Sequence, residues 1–88
     1  LLLCGGGRPD DAALANGLFI EPTVFHGVTS TMRIAREEIF GPVLSVLKWS
    51  DEGQMLDEVN GLDLGLTCSI WTNALVKAHR TAMAVEAG

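Results

Sequence analysis

The stretch REEIFGPVLSVLKW, Arg36 to Trp49, decides how this chain is read. Two adjacent carboxylates, Glu37 and Glu38, run into Ile39-Phe40-Gly41-Pro42 and then into a long apolar segment. Carboxylates are costly to desolvate, so a pair at the edge of a core-forming run needs a reason. Pro42 fixes its own φ, lacks an N–H donor and biases Gly41 toward extended backbone, while Gly41 permits close approach. The unit sets a rigid corner where a loop becomes a strand. In a parallel α/β sheet, loops at strand ends are where ligands gather. A carboxylate held there is a good acceptor for a vicinal diol such as the two hydroxyls of a ribose. A neighbouring aromatic can wall off a flat ring. The plain reading of the same residues is two acids on a turn, with Phe40 as a core anchor.

Working outward, Val43 to Trp49 is mostly apolar and predicts a strand buried on both faces. Ser50 is a good N-cap, with Asp51 and Glu52 in the favoured first turn of a helix. Met55, Leu56 and Val59 give that helix one apolar face. Asn60 to Gly65 punctuates, and Leu66 to Thr72 predicts another strand. Thr72 or Asn73 can cap a last helix through Ala87, with Leu75, Ala78, Ala82 and Val85 on one face and Gly88 at C′. The second half is therefore β-α-β-α, and two strands joined by a helix predict a parallel pair.

In the first half, Leu1 to Cys4 predicts the end of a buried strand, stopped by three glycines. Gly5 to Gly17 predicts a surface loop. Leu18 to Phe25 is aromatic and β-branched but broken by Pro22, so it cannot be a central strand throughout. Ser30 or Thr31 can cap a short helical turn over Met32 to Arg36. No repeat or low-complexity tract is present.

The chain has 88 residues, the size of one small domain, and 48% of them are hydrophobic against 19% charged, which is a globular balance. A net charge of −5 with six scattered basic residues excludes a nucleic-acid surface, which needs clustered Lys and Arg. The apolar runs fall far short of the roughly 20 residues that cross a bilayer. LLLCGGG has neither the basic region nor the length of a secretory signal. With a Leu-Leu-Leu start and an end at AVEAG, both ends are expected to be cuts within a larger protein.

Few other residues carry chemistry. Cys4 and Cys68 match no metal spacing, and His26 and His79 are not placed to complete one. Both thiols are expected reduced and structural, and with no basic neighbour or helix N-terminus neither is expected to be a nucleophile. Gly5 to Gly7 lack both phosphate-loop signatures and run on to two aspartates, so a tight turn is the better reading. His79 falls among Lys77 and Arg80 on a solvated helix face. His26 has no assignable Ser, Cys or Asp partner. Trp49 and Trp71 end strands as core or interface aromatics.

Four blocks in order then carry a resemblance across essentially all 88 residues. They are GLFIEPTVF (Gly17 to Phe25), MRIAREEIFGPVLSVLKW (Met32 to Trp49), GLDLGLTCSIWT (Gly61 to Thr72) and AHRTAMAVEAG (Ala78 to Gly88). The chain resembles the aldehyde dehydrogenase superfamily, the NAD(P)-dependent enzymes that oxidise aldehydes to acids. FIEPTVF and IAREEIFGPV are most similar to the betaine-aldehyde and aminoaldehyde branch. Leu64 stands where the family often has Tyr, a local packing difference.

The resemblance implies an α/β fold in which residues 1–88 form part of the catalytic domain, extended segments followed by β-α-β-α with parallel strands. It implies that Glu38 hydrogen-bonds the ribose hydroxyls next to nicotinamide and that Phe40 packs by the nicotinamide end. The cofactor would be NAD or NADP, with NAD favoured. Glu37 matches the variable first acid and would be a surface or ion-pair residue. The family's nucleophilic Cys, general-base Glu, oxyanion-holding Asn and Rossmann domain would lie upstream, and its next strand and oligomerisation arm after Gly88. No catalytic residue and no metal ligand is therefore expected in this chain, and Cys4 and Cys68 do not borrow the nucleophile's role. The whole enzyme would form a thiohemiacetal on Cys, pass hydride to nicotinamide and hydrolyse the thioester. It would act on a small-molecule aldehyde as a homodimer or homotetramer, without nucleic acid or membrane, in the cytoplasm or the mitochondrial matrix. The alternatives are a truncated or pseudoenzyme piece with a structural or interaction role, and an independent small α/β binding module.

Overall fold

Pro22 has no N–H to offer a ladder, so the central strand of the sheet starts only at the next residue. A computed structural model of the chain describes residues Leu1–Gly88. Strands β1 (Leu2–Cys4), β2 (Thr23–His26) and β3 (Val43–Val46) form one three-stranded sheet in the order β1-β2-β3. β1 runs antiparallel to β2, with an irregularity between the Leu2–Phe25 and Cys4–Val24 pairs. β2 and β3 are parallel, in a register from Thr23–Val43 to His26–Val46. Parallel neighbours need a crossover, and the chain between them carries α1 (Arg33–Arg36), a single helical turn. The expected surface loop contains a short 3₁₀ turn, Ala12–Leu14, whose first N–H groups are capped by Asp11 through an Ala13 N–H to Oδ1 bond of 2.8 Å.

The chain divides into two units, Leu1–Lys48 with the sheet and Trp49–Gly88 with two helices. In the second, α2 (Glu52–Asn60) is capped by Asp51 rather than Ser50, because the Asp51 carboxylate reaches the Gln54 N–H at 2.8 Å. α3 (Leu75–Ala84) ends three residues before Ala87. Asn60 intercepts it: Nδ2 donates to the Ala84 carbonyl at 2.9 Å and Oδ1 accepts from the Glu86 N–H at 2.9 Å. Val85 turns to extended backbone, and the Gly88 N–H bonds the Gly65 carbonyl at 2.7 Å instead of closing the helix.

Four expectations need correction. Leu66–Thr72 forms no strand, and the parallel pair is β2 with β3 across α1, not β3 with 66–72 across α2. A strand exists only where a ladder satisfies its N–H and C=O groups, and no segment of this chain offers 66–72 one. β3 is covered on one face only, with Val43 and Ser45 half-buried and Leu44 and Val46 exposed. β1 is exposed along its length. Thr29 and Thr31 bond each other at 3.0 Å, and neither they nor Ser30 caps α1, whose N-cap is Met32. The α/β character stands, but the core within these residues is thin: Val28 is the buried apolar side chain, with Thr23 and Thr81 the buried polar ones.

Candidate functional site

The corner at Glu38–Pro42 is built from two successive three-residue turns. The Gly41 N–H bonds the Ile39 carbonyl at 2.8 Å, and the Val43 N–H bonds the Gly41 carbonyl at 2.8 Å. Their central residues are Phe40 and Pro42. No non-glycine residue has positive φ, so both are inverse γ-turns, which suit the fixed φ of proline. The Pro42 carbonyl then accepts from the Thr23 N–H at 2.8 Å, which ties the corner to the start of β2. Phe40, at the apex of the first turn, is 98% exposed.

The two carboxylates differ. Glu37 is held from inside: Arg33 Nε reaches Oε1 at 2.9 Å and Arg33 Nη2 reaches Oε2 at 2.9 Å. This fork is bidentate and spans one helical turn. It holds the Glu37 carboxyl below its ordinary pKa and raises that of Arg33. Glu38 is exposed and makes no hydrogen bond or ion pair within the chain, so all its acceptor positions are available.

Cys4 and Cys68 are free thiols and both exposed, so they are not core residues here. His26 closes β2, and His79 is exposed on α3 as expected; neither imidazole makes a side-chain hydrogen bond. In the second unit an open cavity of about 460 Å³ lies among Trp49, Met55, Cys68, Ile70, Trp71 and Val85. Trp71 is almost fully exposed, and Trp49 lies under the Lys77 ammonium, 5.7 Å from the ring centroid. Glu52 was legible only as a first-turn acid. It in fact gathers both Arg80 bonds (2.9 and 3.0 Å), the Thr81 hydroxyl (3.2 Å) and Lys77 (3.5 Å). Thr23 and Asn60 were also missed. Only a threonine directly after a strand-breaking proline, and an Asn read as turn punctuation, hinted at them.

The family model described as "Aldehyde dehydrogenase family" matches residues 1–88, the whole chain. The chain belongs to the aldehyde dehydrogenase family. It is 50% identical to a betaine aldehyde dehydrogenase of Mesorhizobium japonicum over all of its own length and 18% of that protein. It is 52% identical to the aldehyde dehydrogenase tropH of Talaromyces stipitatus, over 99% of the chain and 18% of that protein. Among solved structures, a Mycobacterium tuberculosis aldehyde dehydrogenase complexed with NAD+ superposes with a TM-score of 0.89 at 42% identity, covering 99% of this chain and 18% of that one. The chain thus spans about a fifth of the length of these relatives. The α/β arrangement of this aldehyde dehydrogenase segment is that of the family. No helix in it is long and apolar enough to cross a membrane.

Proposed function

We propose that this segment is the cofactor-holding corner of an NAD(P)-dependent aldehyde dehydrogenase that oxidises a small-molecule aldehyde to a carboxylic acid. Glu38 accepts hydrogen bonds from the ribose hydroxyls beside the nicotinamide, and Phe40 packs against the nicotinamide end. The observation that carries this reading is the asymmetry at the corner. Glu37 is fully engaged by Arg33, whereas Glu38 keeps every acceptor position free on a backbone pinned to β2.

The residues fit a dinucleotide. An acceptor-only carboxylate pairs with two hydroxyl donors, and an aromatic face at a turn apex offers a wall to a flat ring. When bound, NAD(P)+ takes up the hydride. The chain's own part is positional: Glu38 limits where the ribose can swing, and Phe40 limits the tilt of the ring beside it. Such positioning lowers a barrier by prepaying orientation entropy. NAD is the favoured form, supported by the NAD+ complex among the structural relatives. The betaine aldehyde dehydrogenase at 50% identity supports a place in the betaine-aldehyde and aminoaldehyde branch. The whole enzyme is read as a homodimer or homotetramer of the cytoplasm or mitochondrial matrix, with the reactive thiol and the base supplied outside these residues. Equilibrium binding of NAD+ to the whole enzyme tests the corner directly: Glu38→Gln should weaken it, and unchanged binding would remove Glu38 from the site.

A further inference from the structure

Three stretches of the first unit meet at Thr23, which is only 3% exposed. Its hydroxyl donates to the Glu21 carbonyl at 2.7 Å and accepts from the Gly6 N–H at 2.9 Å. Its backbone N–H donates to the Pro42 carbonyl at 2.8 Å. Gly5 and Gly6 hold φ of 71° and 91°, a region open to glycine and strained for other residues. A Cβ on Gly5 would come within 2.8 Å of the Thr23 hydroxyl and closer still to the Pro22 carbonyl. The turn leaving β1 is therefore folded directly against Thr23. One residue ties together that turn, the Pro22 approach to β2, and the corner that carries Glu38 and Phe40. Glu38 makes no hydrogen bond of its own, so the backbone of the corner is what aims it.

We infer that Thr23 is a positioning residue for the cofactor: its hydroxyl holds the start of β2 against the turn that leaves β1, and its backbone N–H, hydrogen-bonded to the Pro42 carbonyl, carries that placement to the corner that presents Glu38 and Phe40 to the ribose and nicotinamide of the dinucleotide. The inference rests on the proposed function of that corner. At 3% exposure Thr23 offers almost no surface to a ligand. It acts on the frame, because deleting the hydroxyl leaves the Glu21 carbonyl and the Gly6 N–H without their partner and lets the strand start move against the turn.

The test uses the whole enzyme carrying Thr23→Val, which keeps the shape and loses the hydroxyl, and Thr23→Ser, which keeps the hydroxyl. Three readouts are compared: the NAD+ dissociation constant by titration calorimetry, the KM for NAD+ against kcat, and the ratio of dehydrogenase to esterase turnover. Thr23→Val should weaken NAD+ binding and lower the ratio by roughly three- to tenfold, the size of one net hydrogen bond, and Thr23→Ser should restore both. Equal loss of dehydrogenase and esterase, or Thr23→Val behaving as wild type, overturns the inference. If Thr23→Val does not fold, Thr23→Ser against Thr23→Ala isolates the hydroxyl, and identical NAD+ affinities for that pair overturn it too. Glu38→Gln measured alongside separates the two levels. If Glu38→Gln moves affinity and ratio while Thr23→Val does not, only the positioning role falls. If Glu38→Gln moves neither, the corner reading fails and the inference fails with it.

Discussion

Arg33 grips Glu37 with two 2.9 Å bonds and leaves the next carboxylate, Glu38, untouched. Neighbouring acids in one motif are thereby sorted: one completes a helical turn, the other is free for a ligand. The Arg33–Glu37 fork is largely solvent-exposed, and exposed pairs of this kind contribute little to stability.

That sorting predicts a contrast in the whole enzyme. Glu38→Gln keeps the shape and removes the charge, and a charge-assisted hydrogen bond is worth roughly 1.5–3 kcal/mol. Hydride transfer should slow by about tenfold or more. Hydrolysis of an activated ester, which needs no hydride step, should change far less. Glu37→Gln should leave both rates near wild type. The ratio of dehydrogenase to esterase activity for the two variants is the measurement; equal losses at both positions would make the corner merely structural.

The 88-residue chain by itself should be inert and poorly folded. Leu18, Phe40 and Trp71 are more than nine-tenths exposed, and a core whose buried apolar side chain is Val28 cannot offset the chain entropy of ordering it. We expect dye binding to exposed apolar surface, a broad thermal transition and no aldehyde oxidation with NAD or NADP. A sharp cooperative melt of a monomer would instead favour an independent module.

Glu52 makes the α2–α3 pairing acid-sensitive. The Arg80 hydrogen bonds chiefly hold its carboxyl below the ordinary value; burial opposes them, and Arg80's charge, the Thr81 hydroxyl and Lys77 add to them. A carboxylate with a depressed folded-state pKa stabilises above its unfolded value and loses that contribution as pH falls through the folded one. Denaturant midpoints of the whole protein, followed from neutral pH down through the carboxylate range, should therefore drop more for wild type than for Glu52→Gln. Parallel curves would show that the cluster carries no linkage. With its side chain 23% exposed against 58% for Glu37, Glu52 should matter more than the Arg33 fork.

Asn60→Ala should cost about 1–3 kcal/mol, because it strips partners from the half-buried Ala84 carbonyl and the Glu86 N–H. Asn60→Asp keeps the acceptor for Glu86 but sets a carboxylate oxygen against the Ala84 carbonyl, so it should cost at least as much as Asn60→Ala. Urea unfolding of the whole protein reads both. No change in Asn60→Ala would mean that water replaces the clamp at no cost.

Local chemistry was enough to read much of this chain from its sequence. Pro22 delayed β2, the helix patterns placed α2 and α3, and Glu37-Glu38-Ile39-Phe40-Gly41-Pro42 marked a corner with a carboxylate to spare, because φ restriction, side-chain period and donor counts act within a few residues. Tertiary structure decided the rest. β2 rather than 66–72 became the parallel partner of β3, since pairing depends on which distant backbone groups meet. α3 stopped at Ala84 because Asn60, 24 residues away, claims that carbonyl. The Pro42 carbonyl met the sequence-distant Thr23 N–H, so the place of the Glu38–Pro42 corner against β2 was also a tertiary outcome.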